Sequence, residues 1–215
     1  MESINSQLMA AAFNGDATKV KSLLLDPRCD ASKTGLLGAN ALMLAASGGH
    51  IACIKLLMPV TDVLAQSSGG LSALNWAACE GHEACIQLLL PSSDALAQDE
   101  NGWSALMNVV YRNYDACVQL LLPASDPLAK DRKGQTPLIL AATHGHTACV
   151  DLLLPVSDVL AENKMKRTAS YLAKENGHPQ LAQLIDAYVI VQTEQLALSS
   201  TITPVAPKKS PAPRL

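Results

Sequence analysis

Apolar positions along this chain fall in short clusters at helical spacing, each closed by a breaker. Residues 72–102 (SALNWAACEGHEACIQLLLPSSDALAQDENG) show one period. Ser72 is a helix N-cap type, because its oxygen can accept from an otherwise unpaired backbone N–H. A short Ala-rich segment follows, with Leu74, Ala77 and Ala78 on one face, and Gly81 breaks it. A second amphipathic segment carries Ile86, Leu88, Leu89 and Leu90. Pro91 has no N–H and disfavours helix in the residue before it, so this helix is expected to stop there. Asp94 to Gly102 has turn chemistry. The pattern predicts helix, tight turn, helix and extended loop.

The same pattern recurs at a fixed step, the mark of a repeat architecture. Ala-Cys-aliphatic stands at Ala52-Cys53-Ile54, Ala84-Cys85-Ile86, Ala116-Cys117-Val118 and Ala148-Cys149-Val150, 32 residues apart. That step also relates Pro59, Pro91, Pro123 and Pro155, and Asp62, Asp94, Asp126 and Asp158. Leu64-Ala65, Leu96-Ala97, Leu128-Ala129 and Leu160-Ala161 keep the register. The cap position holds Asn40, Ser72, Ser104, Thr136 and Thr168. Two short helices cannot bury an apolar face alone, so neighbouring units must stack into a solenoid.

The string GQTPLILAATHGHTACVDLLLP, residues 134–155, resembles the ankyrin repeat, and the resemblance covers about residues 4–187. It departs from the family pattern in a 32-residue unit and in the residue after the Thr-Pro-Leu position. There Met43, Asn75, Met107 and Ile139 stand instead of histidine. The resemblance implies an all-α, ankyrin-type helical solenoid of stacked helix-turn-helix units with β-hairpin-like loop tips. It also implies binding of another protein through a concave groove. The solenoid is expected over residues 1–198. It divides into an N-terminal capping pair at about 4–25, four full repeats at about 38–158 and a C-terminal capping unit at about 162–198, where Pro179 opens a longer second helix. Residues 199–215 (SSTITPVAPKKSPAPRL lies across 199–215) are Pro-rich and basic and read as a disordered tail.

Composition narrows the function. Seven aromatic residues (one Phe, four Tyr, two Trp) leave a core of Ala, Leu, Val and Ile. A net charge of −3 argues against general nucleic-acid binding. No apolar run nears the roughly 20 residues that span a bilayer, and the start lacks a secretory pattern. A cytoplasmic, reducing setting is expected; delivery into a host cell stays open. The cysteines repeating at 32 read as small buried thiols, too regularly spaced for a disulfide or zinc site. His50, His82, His146 and His178 each occupy the turn between helices, a structural position in ankyrin-like repeats. His144 with His146 forms an H-x-H, a weak metal signal. No nucleophile–base pair or phosphate loop stands out, so no cofactor, metal or catalysis is expected.

What remains is surface. Positions that differ between copies are free to contact a partner. The tips at 66–69, 98–101, 130–133 and 162–167 run from uncharged, through two acids and no base, to three bases against one acid in each of the last two. After each tip glycine stand Leu71, Trp103 and Gln135; on the first helices stand Trp76, Asn108 and Leu140, then Tyr111, Arg112 and His144. With Arg132 and Lys133, these residues make the expected docking face, rich in the types that anchor interfaces. The tail's Pro204-Val205-Ala206-Pro207-Lys208-Lys209 fits a proline-binding domain, and Thr203-Pro204 and Ser210-Pro211 fit proline-directed phosphorylation. Two other readings are an effector or regulatory subunit addressed by its tail, and an enzyme subunit with an unrecognised site.

Overall fold

A computed structural model of the chain describes residues 3–201, with side chains described to residue 194. The first helix of each unit starts where a short polar side chain can satisfy an orphan amide. Asn40, Ser72, Ser104, Thr136 and Thr168 are extended, and each side-chain oxygen accepts from the N–H three residues on. The described residues form helix pairs: α1 (Ile4–Phe13) with α2 (Ala17–Leu24), α3 (Ala41–Ser47) with α4 (Ile51–Leu57), and α5 (Ala73–Glu80) with α6 (Glu83–Leu89). They continue as α7 (Ala105–Tyr111) with α8 (Asp115–Leu121), α9 (Pro137–Thr143) with α10 (Thr147–Leu153), and α11 (Ala169–Glu175) with α12 (Pro179–Thr201).

Within each pair the chain reverses through one left-handed residue. Gly81 holds this conformation with φ 72°, and Asn113 does so with φ 63°. Asparagine tolerates this region because its short amide can bond locally. The repeated prolines do not end the second helices abruptly. Pro59, Pro91, Pro123 and Pro155 each sit inside a 3-10 turn that continues the helix, as in Leu90–Ser92. Asp62, Asp94, Asp126 and Asp158 then accept from the amide two residues on. That local bond explains their fixed spacing.

First helices pack on neighbouring first helices, and second on second, in a single file. Alanine pairs make the first row tight: Ala45-Ala46, Ala77-Ala78 and Ala141-Ala142 are sealed from solvent, as are Val109-Val110 in the same positions. The second row fills the other side of the core with Ile54, Leu57, Ile86, Leu89, Val118, Leu121, Val150 and Leu153, and with the buried thiols of Cys53, Cys85, Cys117 and Cys149. The first row is the more intimately packed of the two.

The loop tips close like hairpins without forming a strand among the described residues. Ser67 N–H donates to Leu71 O, Asp99 to Trp103, Asp131 to Gln135 and Asn163 to Arg167. Successive tips are joined by Ser68 N–H to Leu37 O, Glu100 to Gly69, Arg132 to Asn101 and Lys164 to Lys133, at 2.9–3.0 Å. The irregular segment 26–38 rejoins this row, since Gly35 N–H reaches Ala39 O and exposed Leu37 turns left-handed at φ 58°. Helix α12 is described as far as Thr201, the last described residue. The Pro204–Lys209 segment, both proline-directed positions and the rest of the tail lie outside the described residues.

Turn histidines tie each unit to the one before. Nε2–H donates from His50 to Phe13 O (2.9 Å), from His82 to Ser47 O (2.8 Å) and from His146 to Tyr111 O (3.1 Å). The rings rest on the preceding turn glycines: a Cβ on Gly15 or Gly49 would stand 2.5 or 2.9 Å from the imidazole. Tyr114 takes this place over Gly81.

Candidate functional site

The hub of the surface is Trp103, at the junction of a tip and α7. Its backbone amide is held by Asp99 Oδ1 (2.8 Å) and its indole Nε1–H donates to Asp131 Oδ2 (3.2 Å) on the next tip. Asp131 is buried, and its Oδ1 also accepts from the amides of Lys133 and Gln135 at 2.8 and 2.7 Å. One carboxylate thus shapes its own tip and clamps the indole of the unit before. Such charge-assisted bonds are shorter and stronger than neutral ones.

From Trp103 an aromatic row crosses the first helices. Tyr111 lies edge-on to Trp103 with centroids 5.1 Å apart, and His144 lies edge-on to Tyr111 at 4.9 Å. His146 stacks on His144 at 5.7 Å. Edge-to-face pairs of this kind add to area burial. Tyr111 remains 42% exposed, so the row presents contact area rather than sealing it. Beside it, Asp99, Asn101, Trp103, Asp131, Arg132 and Lys133 line a cleft of about 280 Å³ between two tips.

Other expected docking residues divide by burial. Arg112, Arg132, Lys133 and His144 are exposed, while Leu71 and Gln135 are half-buried. Two must be withdrawn. Leu140 is 1% exposed and belongs to the core. Asn108 is 8% exposed, its Nδ2–H donating to Ser104 O at 3.1 Å. Both positions are buried and offer no surface to a partner. Trp76 holds the same place in its own unit; it packs against the core, and its indole nitrogen is enclosed without a hydrogen-bond partner among the described residues. Asp131 was missing from the expected face. Its signal is the residue after each tip's first position: Ser67, Asp99, Asp131 and Asn163 are all short acceptors, recurring at 32.

Burial pushes the thiols of Cys79, Cys117 and Cys149 up to about 11, which keeps them protonated at neutral pH. Among the described residues no group of three or more His, Cys, Asp or Glu side chains is placed to hold a metal. No helix among them is long and apolar enough to cross a membrane.

His144, exposed at its surface but partly covered on the side packed by Tyr111 and His146, is held below the ordinary imidazole range by that partial desolvation, with the charges of His146 and His178 adding. As pH falls through about 6.5 the unfolded chain takes up this proton first. Folding stability therefore drops as pH passes below that value, and stops dropping once the folded protein is protonated too. His144→Gln is expected to flatten part of the decline in Tm from about pH 7 to about pH 5, measured by calorimetry. An identical pH profile in the variant would remove this role.

Comparison with known proteins supports the architecture. A family model described as ankyrin repeats, in three copies, matches residues 8–99, 87–163 and 106–194. No curated protein sequence matches this chain. Among solved structures, it is similar to a chain in the complex of the Bd0816 predatory endopeptidase from Bdellovibrio bacteriovorus with immunity protein Bd3460. Identity is 26%, TM-score 0.75, and the match covers 84% of this chain and 97% of that chain.

Proposed function

The chain belongs to the ankyrin-repeat family, and from that premise we propose that it is a non-enzymatic module that binds a partner protein through the concave face built by its first helices and loop tips. The carrying observation is the Trp103–Tyr111–His144 row, partly exposed and fixed in place by the Asp131 clamp. Aromatic groups locked before binding lose little rotamer freedom on association, which favours affinity. That a chain of similar fold occurs in a complex of an endopeptidase with an immunity protein supports a protein as the partner. Six free cysteines, four of them buried in the stack, fit a reducing compartment.

Trp103→Ala with Tyr111→Ala is expected to cut capture of partner proteins from lysate by at least about tenfold, as for a central aromatic anchor pair. Circular dichroism must show the double variant folded. Equal capture by a folded variant would remove the reading. Tyr111→Ala alone is the cleaner probe, because it leaves the Asp131–Trp103 bond in place.

A further inference from the structure

The charged groups around the Trp103 cleft are sorted by the fold. Its acids are turned inward and occupied: Asp99 Oδ1 accepts from the amides of Asn101 and Trp103, and Asp131 uses both oxygens as described. Its cations are turned outward. Elsewhere Arg28, Lys33, Lys166 and Arg167 each have a carboxylate within 4 Å. Arg132, Lys133 and Lys164 are exposed and have no such partner among the described residues. The tip bonds set their register. Arg132 N–H is fixed to Asn101 O, which brings that tip alongside Trp103's own, and Lys133 O accepts from Lys164 N–H, which sets Lys164 one rung further on.

We propose that this cleft takes a carboxylate-rich, extended segment of the partner protein. Asp or Glu side chains of that segment lie against Arg132, Lys133 and Lys164, and an apolar side chain of the same segment lies on Trp103 and Tyr111. Charge complementarity selects this occupant, since among the described residues three exposed cations on this rim, Arg132, Lys133 and Lys164, stand without an ion-pair partner against one exposed acid, Glu100. Neighbouring units are about 8–10 Å apart. An extended chain rises about 3.3 Å per residue, so acids three residues apart match successive rungs. Exposed Glu100, on Trp103's own tip, repels an acid placed at that end and fixes the direction of docking. The inference deepens the docking reading above and rests on it.

The probes are a short peptide with glutamate at every third position and one leucine, its lysine counterpart, and single-stranded oligothymidylate. The full chain has two tryptophans and hence two indole N–H resonances. The glutamate peptide is expected to shift the Trp103 resonance, and to bind at least about tenfold more weakly at physiological than at low salt. Arg132→Glu with Lys133→Glu, which touches no core residue, is expected to weaken that binding at least about tenfold with Tm unchanged. Tyr111→Ala is expected to weaken it while keeping the salt dependence. Preference for the lysine peptide or the oligonucleotide, or undiminished glutamate-peptide binding by the charge variant, would overturn the acidic assignment. If lysate capture depends on Tyr111 but not on Arg132 and Lys133, the acidic assignment falls and the docking reading stands; if capture depends on neither, both fall.

Discussion

Leu106→Ala is expected to destabilise the stack by about 2–5 kcal/mol. Leu106 is fully buried in α7, which is packed against α5, α8 and α9, so it has no free side towards which the hole could relax. The cost has two parts, the lost transfer of the side chain from water and the cavity left behind. The position matters as much as the chemistry. In a single-file stack each unit is stabilised only by its neighbours, and a weak unit in the middle uncouples the two flanks. The variant is therefore expected to melt in urea with a broader, lower-slope transition as well as an earlier midpoint. Leu172 in α11, close to the end of the stack and slightly exposed, serves as comparison; the same change there is expected to cost less. A loss below about 1 kcal/mol at Leu106 would mean that the core is not close-packed around it.

The second large effect concerns the tips. Gly102→Val is expected to cost about 3 kcal/mol or more, combining left-handed strain in a β-branched residue with steric conflict. Gly102 has φ 82°, and a Cβ there would stand 3.0 Å from Asp131 Cα, a backbone atom that can give way only by opening the bond from Arg132 N–H to Asn101 O. Two further glycines separate the causes. Gly177 shares the positive φ (86°) but has open space around it, so Gly177→Ala is expected to cost about 1 kcal/mol from conformation alone. Gly69 has open space and an ordinary φ, so Gly69→Ala is expected to be neutral or slightly stabilising. Thermal melts of the three variants check the order. Equal effects at Gly102 and Gly177 would show that tip-to-tip contact contributes nothing.

The fold was legible in the sequence because its determinants are local and copied. The cap residues, the alanine pairs and the turn histidines announce the helix pairs, and the 32-residue register announces the stacking. The docking face was legible only in part. Variation between copies separates fixed from free positions, but it cannot distinguish a residue that varies because it meets a partner from one that varies with its neighbour. Asn108 and Leu140 vary yet are buried within the stack, and Trp76 varies yet packs partly against the core. Trp103 and Tyr111 are of the first kind in our reading, and they touch each other although eight positions apart. Asp131 eluded the sequence because its function spans two units: one oxygen serves its own turn and the other an indole 28 residues earlier. Asn113 and Tyr114, irregular in sequence, keep the turn by other means, one by adopting the left-handed conformation and the other by laying a phenol where imidazoles lie elsewhere.

The imidazole links all point one way. His50, His82 and His146 reach back to carbonyls of earlier residues. A chain emerging from the ribosome in order of synthesis thus leaves the carbonyls at Phe13, Ser47 and Tyr111 waiting for a donor that has not yet been made. The file closes like a zip drawn from behind, and losing units from the rear strips a donor from the unit ahead, whereas losing them from the front merely returns an imidazole to water.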